Sequence, residues 1–219
     1  LDAQPEAEKK RAVSWYAGGP LSYFFRGESV GVLAGSRMPW LDTDYVVTYI
    51  NQVQREIPTR AALDFFAAQT PVYTATIAGL DMAHVYDMRE IVANLYANVP
   101  PPVALPAGQQ WPPMTLTALG SLPSTAVGSV LPVELTWDGP LDGTHRLSLR
   151  LIAQDGTLVA QVDDGLEAVN RIQLFVPPDA APGEYGLHLL LYDADTLDPL
   201  PAADGRQIVQ VAQVEVGQQ

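Results

Sequence analysis

The stretch "PGEYGLHLLLYD", residues 182–193, decides the fold of the second half of the chain. It opens with a Pro-Gly pair, which is typical of a turn, and continues into an alternating run that predicts a strand. Tyr185 stands just after the turn. In sandwich folds, a tyrosine at this position hydrogen-bonds the backbone of the neighbouring loop. We therefore predict that Tyr185 forms a tyrosine corner and helps to hold two sheets together.

The segments around this strand also have a period of two. In "LPVELTWDG", residues 131–139, every second residue from Leu131 to Trp137 is apolar, and "HRLSLRLIAQDG", residues 145–156, alternates in the same way. Short turn sequences such as "DGPLDG", "QDG" and "APG" separate the strands. Roughly seven short strands with no helical pattern predict an immunoglobulin-like or fibronectin-like β-sandwich.

A proline-rich stretch separates this half from the first. In "NVPPPVALPAGQQWPP", residues 98–113, six of the fourteen residues from Pro100 onward are proline. Such a sequence favours an extended, semi-rigid segment over a helix or a central strand. The sequence thus predicts a domain over 1–98, a linker over 99–113 and the sandwich over 114–219.

The first half mixes helical and strand patterns. Strands are predicted over 11–18, 28–35 and 44–51, and "TRAALDFFAAQ", residues 59–69, predicts an amphipathic helix with Thr59 as its N-cap. A further short helix is predicted from Pro20. A hairpin is predicted around Gly79, between "PVYTATIAG" and "MAHVYDM". This alternation indicates a small α/β domain with a partly parallel sheet.

Charge and composition exclude several classes of function. The net charge is −13, and residues 99–219 carry 4 Arg and no Lys against 14 Asp and Glu. Such a surface repels phosphate backbones and anionic lipids, so we predict no nucleic acid partner and no polybasic membrane docking. The chain has no Cys, and its 3 His are far apart, so we predict no metal and no cofactor. Its apolar runs are shorter than the ~20 residues that a membrane span needs.

One candidate ligand site lies at the end of a predicted strand. In "DYVVTYINQVQRE", residues 44–56, an apolar run gives way to polar residues at Asn51. If strands 11–18 and 44–51 are parallel neighbours, their carboxyl ends meet at one edge, where open α/β sheets bind ligands. Aromatic, amide and guanidinium groups would then form a crevice suited to sugars: Trp15, Tyr16, Asn51, Gln52 and Arg55. The alternative is that Asn51 caps a turn and the residues after it are solvated.

Catalytic motifs do not emerge from the sequence. There is no GxSxG nucleophile elbow and no GxxxxGK[ST] phosphate loop. "DADTLD", residues 193–198, lacks the frame of a calcium loop and favours an Asp-rich turn. His84, in a predicted strand, is interpreted as structural. We predict no catalytic residue in this chain, while the 25 carboxylates leave open a hydrolytic pair.

Three stretches of the first half resemble a known family. They are "SWYAGGPLSYFFRG", "DYVVTYINQVQREIP" and "TPVYTATIAGLDMAHVYDM", residues 14–27, 44–58 and 70–88. They resemble the region after the last membrane span in bacterial membrane glycosyltransferases of the dolichyl-phosphate-mannose mannosyltransferase type, family 39-like. The run from Gly183 to Asp193, followed by Gly205, is similar to the sandwich that often follows in those proteins. No residue here matches the family's catalytic motif.

The resemblance implies a location and a role. The chain would lie outside the cytoplasmic membrane, joined to it only through segments beyond this sequence, since it begins with Leu rather than Met. It would be a non-catalytic accessory region that positions a lipid-linked or acceptor sugar, with a glycan or polyprenyl-phosphate sugar as partner. The alternatives are a secreted or cell-surface carbohydrate-binding or structural module, and a free-standing glycoside hydrolase.

Overall fold

A computed structural model of the chain describes residues 6, 9–14, 21, 23, 25–31, 43–57, 60–141 and 143–218. The chain divides into two compact units, Leu1–Ala97 (unit 1) and Asn98–Gln219 (unit 2). It is mostly β, and its sheets are consistent with a β-sandwich, as the alternating second half predicts. None of the helices in the described part of the chain has the length and apolar character that a bilayer span requires.

Unit 1 contains one sheet and three described helices. The strands are β1 (Arg11–Ser14), β2 (Glu28–Gly31), β3 (Tyr45–Tyr49), β4 (Tyr73–Ile77) and β5 (Leu80–Asp87). The helices are α1 (Ile50–Gln54), α2 (Arg60–Ala67) and α3 (Met88–Ala97). The strand order is β2-β1-β3-β5-β4. β1 is parallel to both β2 and β3, and the remaining pairs are antiparallel.

The two faces of this sheet bury different side chains, because alternate residues of a strand point to opposite faces. Thr48 on β3 pairs directly with His84 on β5, and Tyr86 lies on the same face two residues further along. α2 covers this face with Phe66, whose ring centroid lies 5.4 Å from that of Tyr86. Tyr45 points to the opposite face, where it belongs to a separate buried cluster.

The predicted elements of unit 1 are found with altered ends. The strand predicted over 44–51 stops at Tyr49, and α1 begins at the next residue. The helix predicted over 59–69 is α2, and the predicted hairpin is β4–β5, with positive φ at Ala78 and Gly79 in its turn. The helix at Pro20, the cap at Thr59 and the ends of the predicted strands 11–18 and 28–35 lie outside the described residues.

Helix α3 is not predicted from the sequence. It begins at Met88, the last residue assigned to the hairpin, and buries Met88 and Ile91 at helical spacing. Its amphipathic pattern is short and follows a strand without a break, so no Gly or Pro marks its beginning.

Unit 2 contains two sheets. A four-stranded sheet has the order β12-β9-β7-β6, and a six-stranded sheet has the order β11-β10-β13-β15-β8, with β14 pairing with β13. Their bounds are β6 Val103–Trp111, β7 Met114–Ser121, β8 Ser124–Ala126, β9 Val130–Asp138, β10 His145–Ala153, β11 Leu158–Gly165, β12 Val169–Phe175, β13 Gly183–Asp193, β14 Pro199–Leu200 and β15 Ile208–Gly217. β8 and β15 are parallel, and the other pairs are antiparallel.

The alternating residues predict the core of unit 2 correctly. Leu147, Leu149 and Leu151 of β10 are fully buried, and the apolar residues of β9 from Leu131 to Trp137 join the same cluster. The cluster takes side chains from both sheets, as a sandwich core does.

The predicted tyrosine corner is present. Tyr185 is buried on β13, and its hydroxyl donates a hydrogen bond of 2.5 Å to the carbonyl oxygen of Ala181. The Pro-Gly turn places the phenol over the loop that leads into the strand.

The proline-rich segment differs from a simple linker. Much of the predicted 99–113 linker is β6, which forms the edge of the four-stranded sheet and pairs with β7. A Cβ added at the buried Gly120 of β7 would lie 3.2 Å from the carbonyl oxygen of Pro100 and 3.3 Å from Cγ of Pro102. The proline run therefore packs closely on this sheet. An edge strand tolerates proline because only one of its sides needs backbone donors.

Candidate functional site

A hollow in the described part of unit 1 lies between helix α2 and the sheet. We call it the α2 groove, and its volume is about 320 Å³. Strands β3 and β5 form its floor, and the helices and the turn after α2 form its walls. Its lining residues are Thr48, Val53, Arg60, Leu63, Asp64, Phe66, Ala67, Gln69, Pro71, His84 and Tyr86.

The floor of the α2 groove carries the polar side chains of Thr48 and His84, and Thr74 lies beside His84 on the next strand. Thr48 of β3, His84 of β5 and Thr74 of β4 are direct cross-strand neighbours. A hydrogen bond of 3.2 Å joins the Thr74 hydroxyl and Nδ1 of His84. Since directly paired side chains lie about 5 Å apart, these three groups form one short polar line.

Aromatic rings stand beside this polar line. The ring of Tyr86 lies 5.4 Å from that of Phe66 and 6.2 Å from the imidazole of His84, measured between centroids. Phe66 and Tyr86 are buried, and His84 is half-buried. The floor thus combines apolar ring surface with hydroxyl and imidazole groups.

The phenol of Tyr86 stays protonated at neutral pH. Burial raises its pKa above the ordinary value, and a hydrogen bond from the Thr48 side chain lowers it by a smaller amount. A neutral phenol is both a hydrogen-bond donor and an acceptor. It is therefore suited to binding a hydroxyl group rather than a cation.

Charged groups stand at the rim. Nε of Arg60 lies 2.9 Å from Oδ1 of Asp64, and Nη1 of Arg60 lies 3.6 Å from Oε1 of Glu56. The hydrogen bond that Arg60 donates to Asp64 raises the pKa of Arg60. All three side chains are exposed, and two of them, Arg60 and Asp64, line the groove.

The sequence-predicted crevice residues fall into three groups. Trp15 and Tyr16 lie outside the described residues, although β1 and β3 are parallel neighbours as the crevice requires. Asn51 is exposed on α1, and Arg55, four residues later, is exposed at the end of that helix. Neither Asn51 nor Arg55 lines the α2 groove, and the role of all four residues in binding stays a prediction.

Gln52 is buried, in contrast to its neighbours on α1. It is 1% exposed, and its Oε1 accepts a hydrogen bond of 3.3 Å from the backbone N–H of Tyr49. Its Nε2 has no partner within the described ranges. The side chain therefore closes the first turn of α1 from inside and is not part of an exposed polar edge.

The described residues contain no group of three His, Cys, Asp or Glu that could hold a metal ion. The stretch 193–198 is a turn: Oδ1 of Asp193 accepts hydrogen bonds from the backbone N–H groups of Asp195 (2.9 Å) and Thr196 (2.8 Å). That oxygen is therefore occupied by its own loop, as expected for an Asp-rich turn.

Sequence reasoning missed the α2 groove, although part of its signal was visible. The alternation of "MAHVYDM" places His84 and Tyr86 on one strand face, and the helical pattern of 59–69 supplies Phe66. The pairing of β3 with β5, which adds Thr48, depends on sheet order and cannot be read from one strand alone. No protein-family model matches this chain, and no curated protein is significantly similar to it.

Proposed function

We propose that the chain is a non-catalytic accessory region of a membrane glycosyltransferase, on the extracytoplasmic side, and that unit 1 binds a sugar in the α2 groove. The observation that carries the binding part is the floor of that groove. There the rings of Phe66 and Tyr86 adjoin the hydroxyl of Thr48 and the imidazole of His84.

Such a floor suits a hydroxyl-rich ligand with an apolar face. Small-ligand sites are mostly apolar and aromatic, with a few polar groups that fix orientation. A neutral phenol, an imidazole and a threonine hydroxyl donate and accept hydrogen bonds without attracting a net charge. The Arg60–Asp64 pair at the rim adds a donor and an acceptor for further hydroxyls.

The arrangement gives less support to catalysis. The pairing of Thr74 with His84 has the atom types of a nucleophile and a base, but both are cross-strand partners on one sheet. In the described part of the groove, no carboxylate hydrogen-bonds the imidazole to orient it. Binding a sugar requires neither a nucleophile with its base nor a carboxylate that orients the imidazole.

The cellular part of the proposal rests on the family resemblance. It places the chain outside the cytoplasmic membrane, with a glycan or polyprenyl-phosphate sugar as partner. Asn51 lies on α1 and Arg55 is the residue that directly follows it, and the same helix supplies Val53 to the groove wall. We propose that Asn51 and Arg55, together with Trp15 and Tyr16 as the sequence predicts, form a second contact region for the same ligand or for its lipid-linked part, with the buried Gln52 supporting α1 from inside.

We also propose finer fold assignments for both units. For unit 2, an immunoglobulin-like or fibronectin-like class is supported by the neighbouring order β10-β13-β15 in one sheet and β7-β9-β12 in the other, which parallels the C-F-G and A-B-E orders of that class. The Tyr185 corner lies on the strand equivalent to F. For unit 1, an α/β class is supported by the parallel strands β2, β1 and β3 and by the helices beside them.

The test is an NMR titration of the isotope-labelled chain with neutral methyl glycosides, short glycans and a polyprenyl-phosphate sugar in micelles. We expect saturable shifts of amides in 46–49, 60–67 and 84–86, with a Kd of roughly millimolar to high micromolar, since few contacts are available. Thr48→Val and Tyr86→Phe should each weaken binding about five- to tenfold, because each removes one hydrogen-bonding group.

Thr117→Val is the matched control, because it removes a half-buried threonine hydroxyl from unit 2, where Oγ1 donates to the carbonyl oxygen of Thr136 at 3.0 Å. It should leave binding unchanged. Shifts confined to unit 2, or none with any glycan, would contradict sugar binding and favour a spacer. Hydrolysis of aryl glycosides that disappears on substitution of a single Asp or Glu would overturn the non-catalytic assignment.

A further inference from the structure

The outer face of the six-stranded sheet of unit 2 carries two arginines in a strongly acidic unit. Arg146 and Arg150 alternate with the core leucines of β10, so both point away from the core. Residues 99–219 contain only 4 Arg and no Lys, against 14 Asp and Glu. Two of the four cations therefore lie on one strand face, four residues apart.

These two guanidinium groups differ from the other two arginines of unit 2. Arg171 Nε lies 2.8 Å from Oε2 of Glu134, and Arg206 Nη2 lies 2.6 Å from Oδ2 of Asp204. Arg146 and Arg150 form no ion pair with any described carboxylate. The nearby Asp163 instead accepts a hydrogen bond of 2.7 Å from Nε2 of Gln161.

A hydrogen bond to a buried side chain orients the guanidinium of Arg150. Its Nε donates a hydrogen bond of 3.1 Å to Oγ of Ser148, which is fully buried beneath the outer face. The bond occupies Nε and leaves the two terminal nitrogens for a ligand. A half-buried guanidinium that is already oriented loses less freedom on binding than an exposed one.

Tyr192 completes the group. It lies directly across from Arg146 on β13, while His188 lies across from Arg150 and Leu190 across from Ser148. Burial raises the pKa of the Tyr192 phenol, the charge of Asp163 adds to this, and the charges of Arg146 and Arg150 oppose it. Both arginines therefore lie close enough to Tyr192 for their charges to act on it.

Ser148 lies between the two arginines on the same strand face and is fully buried, with Leu190 and Asp163 as its cross-strand neighbours. Rows of paired residues on one face are about 7 Å apart, so Arg146 and Arg150 start about 13 Å apart and can converge over Ser148 and Leu190. Guanidinium nitrogens and a phenol O–H are donors that match the oxygens of a phosphate or a carboxylate.

We infer that this group, which we call the arginine patch (Arg146, Ser148, Arg150 and Tyr192), binds a small oxyanion, either a phosphate or a carboxylate group. The excess of acidic residues in unit 2 repels polyanions at longer range, so the ligand is a small anionic group and not a nucleic acid. The site lies within unit 2 and does not depend on sugar binding by unit 1.

The test is an NMR titration of the full chain with inorganic phosphate, glucuronate and glucose, with ionic strength held constant by chloride. Saturable shifts of amides in 146–150 and 188–192 are expected with phosphate, with glucuronate or with both. The anion that produces the shifts shows whether the ligand group is a phosphoryl or a carboxylate. Shifts of equal size with neutral glucose, or no saturable shift with either anion, would overturn the inference.

Substitutions locate the binding. R146Q and R150Q should each weaken the anion's Kd roughly tenfold, because each removes charge-assisted hydrogen bonds. The Kd of R150K should lie between those of the unsubstituted chain and R150Q, because lysine keeps the positive charge but lacks the planar pair of donors of a guanidinium. R171Q removes the same charge from the other sheet and should leave the Kd unchanged; equal weakening by R171Q and R146Q would show a non-specific charge effect and reject the site. If R150Q fails to fold, the exposed Arg146 still decides the question.

Discussion

The Tyr185 hydroxyl donates a hydrogen bond of 2.5 Å to the carbonyl oxygen of Ala181, four residues earlier in the chain. The bond joins the start of a core strand to the loop before it. Because the phenol is buried, its oxygen would lack this partner if the bond were lost, whereas Ala181 is exposed to solvent. The loop and the strand are thus fixed to each other by one side chain.

Tyr185→Phe should lower the free energy of unfolding of unit 2 by about 0.5–1.5 kcal/mol, because it removes the hydrogen bond that the buried phenol donates to Ala181. Urea unfolding followed by tryptophan fluorescence measures this, since Trp111 and Trp137 are buried in the same unit. Tyr192→Phe, a half-buried tyrosine on the same strand, should change stability by less than about 0.5 kcal/mol. Equal effects of the two substitutions would show that the corner bond contributes nothing.

Leu151→Ala should destabilise unit 2 by about 2–5 kcal/mol, because it leaves a cavity among fully buried side chains. Leu151 is fully buried, whereas Leu158 on the neighbouring strand is 42% exposed. Leu158→Ala is the matched control and should lower stability by less than about 1 kcal/mol. The urea midpoints of the two variants provide the comparison if their unfolding curves have equal slopes. A similar loss of stability in both variants would contradict the burial of β10.

Gly186→Ala should displace the ring of His188. A Cβ at this position would overlap Nε2 of His188, at the far end of that side chain, so the ring has to move. The substitution should lower stability by about 1–3 kcal/mol. Because burial lowers the pKa of His188, the displaced imidazole should also titrate at a higher pH in the variant.

The control for this prediction is a double-mutant cycle. In a His188→Ala background the clash partner is gone, so Gly186→Ala should have little effect, with a coupling energy of about 0.5–3 kcal/mol. Thermal unfolding of the four proteins measures it. Additive losses would mean that the ring of His188 does not lie over Gly186.

Asp87 should contribute stability that depends on pH. Arg89 Nε donates to its Oδ1 at 2.9 Å, and the hydrogen bonds from Arg89 lower the pKa of Asp87 from its ordinary value of 3.8. The folded state therefore binds this proton more weakly than the unfolded state does. The stabilisation is fully present above pH 3.8 and is lost as the pH falls through the lower folded value.

Asp87→Asn should lower the free energy of unfolding by up to about 1 kcal/mol at pH 7 and by much less at pH 2.5. Unfolding curves of both proteins across this pH range test it. Asp64→Asn removes a carboxylate from an exposed pair with Arg60 and should leave stability nearly unchanged. A loss for Asp87→Asn that is the same at both pH values would indicate lost packing in place of a charge effect.

The core of unit 2 could be predicted because each of its strands carries its own signal. Leu147, Leu149 and Leu151 are all fully buried, and a period of two assigns them to one face without knowledge of the neighbouring strands. The tyrosine corner is equally local, since Tyr185 and Ala181 are four residues apart. Where a feature depends on one short segment, the sequence is sufficient.

The α2 groove and the arginine patch could not be predicted because both depend on strand pairing. Thr48 and His84 are far apart in the chain and meet only through the pairing of β3 with β5. Arg146 meets Tyr192 through the pairing of β10 with β13. Helix α3 was missed for a different reason: it begins directly after a strand, with no break in the sequence to mark it.

The bulge in β6 protects the edge of the four-stranded sheet from aggregation by edge-to-edge strand pairing. β6 is the last strand of its sheet, and its register with β7 shifts between Ala104 and Gln109. Pro106, within that interval, has no N–H to offer a strand of another molecule. An interrupted ladder is a poor template for intermolecular β-pairing, so the prolines that suggest a spacer in the sequence keep neighbouring copies from joining edge to edge.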